Sequence, residues 1–266
     1  MAVLDDWTCE YRGLLMGAPD SPVSIVAVDG LLSLPEVRSS DLTLVQRHGL
    51  FPGDDYMNGR AVTLTLEVYA GDREEFTRAL NAVSVAFVPG APESALRFRF
   101  PGVAADQTAL VMVRPRRRSA PLDLNFAMGV CNVVVELYAT SPYILADEPR
   151  AEIVRSSTTG TPLYTRFETF GSIPGRPVYR TSIGSVNPRL SNEVTGEFFA
   201  VEYSGPLYVD SERQVVLDVT NRDISGYILD GSTWPEFRAG NQRLTLTHDD
   251  PASQINGWLD WREAWA

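Results

Sequence analysis

Between Arg60 and Ala70 apolar and polar residues alternate: Val62, Leu64, Leu66 and Val68 share one face, and Thr63, Thr65 and Glu67 share the other. That is the period of a half-buried strand. Asn58-Gly59 just before it predicts a tight turn. Asp72 and Glu75 then open a helix as N-cap and third helical residue. Phe76, Leu80, Val83 and Phe87 form its apolar face, and Pro89-Gly90 ends it. Alternation returns at Leu96, Phe98 and Phe100 against Arg97 and Arg99, and in the segments Ala109–Arg114 and Val130–Thr140. In the last of these Cys131, Val133, Val135, Leu137 and Ala139 lie on one face. The first half reads as an α+β domain, rich in strands, with one helix laid on a sheet.

The pattern changes after the polar stretch Ser156-Ser157-Thr158-Thr159-Gly160, which has linker chemistry and predicts a boundary between a domain of residues 1–155 and one of 156–266. No helical period interrupts residues 160–255. Short apolar runs recur between Gly, Pro and Asn: Val178–Ile183, Glu197–Tyr203, Gln214–Val219, Tyr227–Leu229 and Arg243–Thr247. Such spacing predicts an antiparallel β-sandwich, and the chain as a whole is expected to be mainly β. The end, Trp258 to Trp265, holds three of the five tryptophans and reads as a closing strand or as an aromatic patch in need of a cover.

With 266 residues, 44% of them hydrophobic, each half has the material for its own core. No apolar run reaches 18 residues, so no membrane insertion by a helix is expected. Met1–Asp6 lacks a basic segment followed by an apolar one, so no secretory leader is expected. The net charge is −11, shared as −6 over residues 1–150 and −5 over 151–266, and every basic residue is Arg. A field of that sign repels nucleic acid. The local exception, Arg114-Pro115-Arg116-Arg117-Arg118, reads as a solvated hairpin end or as a contact for an acidic partner. Cys9 and Cys131 make neither a zinc set nor a redox pair and read as small core residues in a reduced compartment.

Candidate chemistry is sparse. His48 reads as a buried or satisfied histidine beside a turn, and His248-Asp249-Asp250 as a plain acidic loop. No nucleophile elbow, phosphate loop, dinucleotide fingerprint or zinc helix occurs. A glycosidase needs two placed carboxylates, and the spacing of the 34 acids singles out no pair. No catalytic, metal or cofactor-binding residue is assigned, and no enzyme is expected.

The order of these pieces resembles the distal tail protein (Dit) family of long-tailed, non-contractile bacteriophages. In the first half the matching runs are Val28-Asp29-Gly30-Leu31, Pro35-Glu36-Val37-Arg38, His48-Gly49, Asn58-Gly59-Arg60, the strand Val62–Val68, the helix from Asp72, Leu96–Phe100 and Ala146-Asp147-Glu148-Pro149. In the second half they are Pro177-Val178-Tyr179-Arg180, Asn187 to Asn192 with Thr195-Gly196, Leu207-Tyr208-Val209-Asp210, and Trp234-Pro235-Glu236-Phe237 with Ala239-Gly240-Asn241. Ala239 stands where the family often has Pro.

The resemblance implies an N-terminal belt domain and a galectin-like C-terminal β-sandwich. It implies a homohexamer ring in the virion, at the distal end of the tail, assembled in the host cytoplasm. The ring would join the tail tube protein to the tail-associated hub protein, neighbour the tape-measure protein, and carry receptor-binding proteins or fibres. The acidic first half further predicts a lumen that passes DNA without binding it. Arg38, Arg60 and the Arg114, Arg116, Arg117, Arg118 run are the candidate subunit or partner contacts. The competing expectation is a carbohydrate-binding minor tail protein that recognises the host surface through its sandwich. Trp234, Trp258 and Trp261, with Arg238, are its candidate aromatics, against burial of the same rings in the core or at a subunit contact.

Overall fold

A computed structural model of the chain describes residues 4–90 and 92–266; Met1–Val3, part of the segment read for a leader, lies outside the described residues. The protein is mainly β and divides into two compact units, the first ending at Asp147 and the second spanning Glu148–Trp265. The division falls ahead of the polar stretch at Ser156–Gly160, because residues 150–155 form a strand of the second unit.

The first unit contains β1 (Thr8–Tyr11), β2 (Leu14–Met16), β3 (Val23–Asp29), β4 (Val37–Ser39), β5 (Leu42–Thr43), β6 (Leu50–Phe51), β7 (Asp55–Met57), β8 (Arg60–Tyr69), α1 (Arg73–Ala86), β9 (Ser94–Arg99), β10 (Ala109–Ser119), the short α2 (Leu124–Ala127), β11 (Val130–Ala139) and β12 (Ile144–Ala146). Its main sheet runs β2-β1-β9-β10-β11-β8-β3, and β12 also pairs with β10. All of these pairings are antiparallel. Strand β8 meets β11 in register from Tyr69–Val130 to Arg60–Ala139, so Val62, Leu64, Leu66 and Val68 share the core with Cys131, Val133, Val135 and Leu137, as the alternation predicts.

Strand β10 serves three partners. Ala109–Val113 pairs with β9, Ala109 and Leu110 pair also with β12, and Arg114–Ser119 pairs with β11 across an irregularity between Pro115 and Arg117. Proline has no ladder donor, and a bulge is where a central strand tolerates it. The Arg run is therefore the far half of a long strand, its end exposed where the chain turns toward β11.

Helix α1 packs Phe76, Ala79, Val83 and Ala86 inward, while Leu80 is only half-buried. Asp72 caps it by accepting from the Glu74 amide at 3.1 Å, one residue earlier than a capping box requires. Its last turn carries no basic residue of its own; Arg12 donates instead to the carbonyls of Ala86 and Val88, at 3.2 and 3.3 Å. A cation at that end suits the helix dipole. Tyr11 stacks on Phe87 with ring centroids 5.1 Å apart, which fastens the same end to β1.

The second unit is a two-sheet sandwich. One sheet is built from β13 (Arg150–Arg155), β15 (Val178–Thr181), β18 (Tyr208–Asp210), β19 (Val215–Leu217) and β21 (Asn256–Trp261), in the order β13-β21-β15-β18-β19. The other orders β14 (Thr165–Thr169), β20 (Gly240–Thr247), β16 (Arg189–Asn192) and β17 (Phe198–Ala200) as β14-β20-β16-β17. Val154, Tyr179, Val209, Val216 and Leu259 of the first sheet meet Phe167, Leu190, Phe199, Leu244 and Leu246 of the second. Trp258 to Trp261 belongs to a strand central to its sheet. The expected strand at Tyr227–Leu229 is instead a 3-10 turn over Ser225–Tyr227, followed by a single bridge from Ile228 to Val201.

Candidate interaction surfaces

Between β3 and β8 the chain leaves the sheet as a long hairpin, the arm. Strand β4 pairs with β7, and β5 with β6. Backbone and side-chain bonds close the ladder between them: Ser40 Oγ donates to Asp54 O at 2.9 Å, and the Gly53 amide donates to an Asp41 carboxylate oxygen at 2.8 Å. That backbone bond, with a second from Ser39 Oγ, holds the Asp41 carboxyl below its ordinary range. The arm is a built element, yet it exposes Val37, Leu42, Val45, Leu50, Phe51 and Tyr56, with Val45 at 94%. Large apolar side chains clustered in water mark an interaction site. Arg38 sits here, exposed, with its guanidinium 5.9 Å from the Tyr56 ring centre. Of the two readings of His48, buried or satisfied, burial fails: it is exposed on the arm, and the hairpin brings no core to it.

Arg60 corrects the reading of it as a surface contact. It is 1% exposed at the base of the arm. Its guanidinium donates to the carbonyls of Gly30 at 2.6 Å, Leu31 at 3.2 Å, Ser33 at 2.8 Å and Pro142 at 2.8 Å. Burial lowers its pKa from the ordinary arginine value. Gly30 has to be glycine, with φ +89° and an added Cβ 2.0 Å from the Ala61 carbonyl oxygen. Asn58-Gly59 joins β7 to β8 without forming a turn, and Gly59 is required because an added Cβ would stand 2.4 Å from Ala139 O.

The Arg114–Arg118 run divides by position. Arg114 is half-buried. Arg116 lies with its guanidinium 5.3 Å from the Tyr138 ring centre, Arg117 pairs with Glu136 at 3.4 Å, and Arg118 donates to Ser84 O of α1 at 2.8 Å. These are local ties on an exposed edge, and exposed pairs contribute little. Beyond them, Leu122, Leu124 and Met128 stand in solvent beside Phe126, whose ring meets Phe76 edge-on at 5.4 Å. Sequence reasoning missed both this patch and the arm.

The tryptophans part company. Trp261 is 3% exposed, in van der Waals reach of Phe167 and Phe237, so it is core and not a sugar platform. Trp234 leans on Phe199 at 5.1 Å over a recess of about 20 Å³, a water-sized space; Arg238 lies nearby, paired with Glu236 at 2.9 Å. Trp258 is half-exposed on the outer face of the five-stranded sheet.

Cys9 and Cys131 are buried free thiols, and burial pushes Cys9 up to about 12. His248 lies in a loop with Nε2 2.9 Å from Ser253 O, and Asp250 accepts from Ala252 N and Ser253 Oγ, as a plain acidic turn does. Among the described residues no three His, Cys, Asp or Glu side chains come together as a metal set would, and no helix is long and apolar enough to cross a membrane.

No family model matches the sequence, and no curated protein matches it. Solved structures do. The Dit protein (gp 19.1) of SPP1, described as a paradigm of the hub adsorption apparatus in phages infecting Gram-positive bacteria, superposes with TM-score 0.65 at 14% identity, covering 96% of this chain and 98% of that one. The phage P2 baseplate in its activated conformation with Ca gives TM-score 0.44 at 5% identity, over 95% and 97% of the two chains. At 14% identity the SPP1 likeness shows a shared fold, and the baseplate match carries no argument.

Proposed function

We propose that this protein is a structural component of a phage tail, a distal tail hub whose copies close into a ring. The observation that carries the reading is the arm: a hydrogen-bonded hairpin that holds its apolar side chains away from its own core, on a chain with the fold of the SPP1 hub protein. Burying one such side chain is worth about 1.5–3 kcal/mol, so the surface left open on the arm is enough to drive association. Heterologous contacts repeated by rotation close a ring.

In this reading six copies join the tail tube protein to the tail-associated hub protein and neighbour the tape-measure protein. The sandwich, taken as a galectin-like module, carries receptor-binding proteins or fibres. The protein acts by geometry and performs no chemistry. The acidic first unit lines a lumen through which DNA slides; an arginine-lined channel would overturn that detail.

Solution mass measurement tests the assembly. The wild-type chain is expected to sediment as a hexamer whose melting temperature rises with protein concentration, and Val45→Asp with Phe51→Asp as a folded monomer whose melting temperature does not. A wild-type chain that stays monomeric at its highest soluble concentration, with or without tube protein, overturns the proposal.

A further inference from the structure

Register sets Ile153, Trp258, Arg180, Tyr208 and Leu217 opposite one another in turn, one from each strand of the five-stranded sheet. Alternation puts this row on the face away from Val154, Leu259, Tyr179, Val209 and Val216, which fill the core. Pro206, Asp218 and Val219 rise beside it and turn the sheet face into a groove of about 570 Å³, floored by Trp258, Arg180 and Tyr208. That volume lies within the range of small-ligand sites, about 300–1,000 Å³.

The polar groups in the groove are held before any ligand arrives. Arg180 pairs through one guanidinium nitrogen with Asp260, on the same face of β21 as Trp258, and keeps other N–H donors. Asp218 accepts from Thr220 Oγ1 at 2.6 Å, Thr220 N at 2.7 Å and Arg222 N at 3.0 Å, all through Oδ1, and Oδ2 remains an acceptor. The result is a groove that a half-exposed indole shares with a donor, Arg180, and a turn-held acceptor, Asp218, with the Tyr208 hydroxyl able to be either.

A pyranose ring matches that set: its C–H face lies on an aromatic plane, and its hydroxyls both donate and accept. Anionic polymers do not match, since Asp210, Asp218 and Asp260 all belong to this side of the unit and the chain carries −11. An apolar peptide would have to desolvate the Arg180–Asp260 pair without replacing its hydrogen bonds.

We propose that this groove binds a neutral oligosaccharide, with a sugar ring on Trp258 and its hydroxyls bonded by Arg180, Asp218 and Tyr208. The proposal stands apart from the ring, because it concerns the second unit's own surface.

Titration of the full chain with neutral tetrasaccharides of glucose, galactose and N-acetylglucosamine, followed calorimetrically, tests it. At least one is expected to bind saturably with Kd of about 1 mM or tighter. Trp258→Ala and Arg180→Ala should each weaken that binding about tenfold or more, while Trp258→Phe keeps most of it. Tyr208→Phe, which removes a single hydroxyl and leaves the fold intact, should weaken it about threefold and serves as the check if Trp258→Ala does not fold. Saturable binding by none of the three sugars overturns the proposal, as does binding indifferent to all four substitutions. Capture of a tail protein that is lost in Trp258→Ala, with no sugar bound, overturns it too and makes the face a protein contact.

Discussion

In the second unit Phe167, Phe237 and Trp261 meet ring to ring and are closed over, whereas in the first Val45, Leu50 and Phe51 stand in solvent on a hairpin held by its own backbone. The contrast separates two uses of the same residue types. Aromatics in the sandwich stabilise a fold that is complete by itself. Apolar side chains on the arm contribute nothing to their own unit and gain only when something covers them.

The sharpest way to break this comparison is to exchange the two kinds of damage. Trp261→Ala should cost the second unit about 3–5 kcal/mol, seen as a lowered midpoint for that unit in denaturant. At concentrations where the wild-type chain is also unassembled, the arm pair Val45→Asp with Phe51→Asp should leave both midpoints alone. Arg60→Met comes next, at about 3 kcal/mol: the methionine fills the stem's place but leaves the carbonyls of Gly30, Leu31, Ser33 and Pro142 without their donor. Its loss should appear as faster amide exchange at the base of the arm. Asp72→Ala should cost about 1 kcal/mol through the frayed first turn of α1, measured by thermal melting. Arg117→Ala, on an exposed edge with a 3.4 Å pair, should change stability by less than about 0.5 kcal/mol. A midpoint shift in the arm pair as large as that of Trp261→Ala would erase the distinction.

The central elements were legible because their pattern and their burial have the same period. Strands β8 and β11 bury one face each along their length, and α1 buries one stripe. Strand β1 was not legible, since Thr8, Cys9 and Tyr11 are all buried and no alternation survives in four residues. Strand β3 carries an irregularity between Ile25 and Ala27 that shifts its phase midway. The arm's strands are two or three residues long and expose both faces, so no periodicity marks them.

For the candidate contacts, chemistry misled where phase would have served. Arg60 stands two residues before Val62, in step with the buried face of β8, and that step foretells its burial better than its charge does. The same rule sorts the tryptophans: Trp261 is in step with the buried Gly257 and Leu259, and Trp258 with the half-exposed Asp260. The cross-strand row at Trp258 was out of reach, because it needs the register of five strands that are far apart in sequence.

Strand β10, kinked at Pro115, stitches two halves of one sheet into a single mechanical piece. A force or a fluctuation that opens either flank must pull on the same backbone, which couples the melting of the two. Protection of the amides of Ala109–Val113 and of Arg118–Ser119 should therefore vanish in one cooperative event. Two separate sheets would show two such events, and the shared strand predicts one.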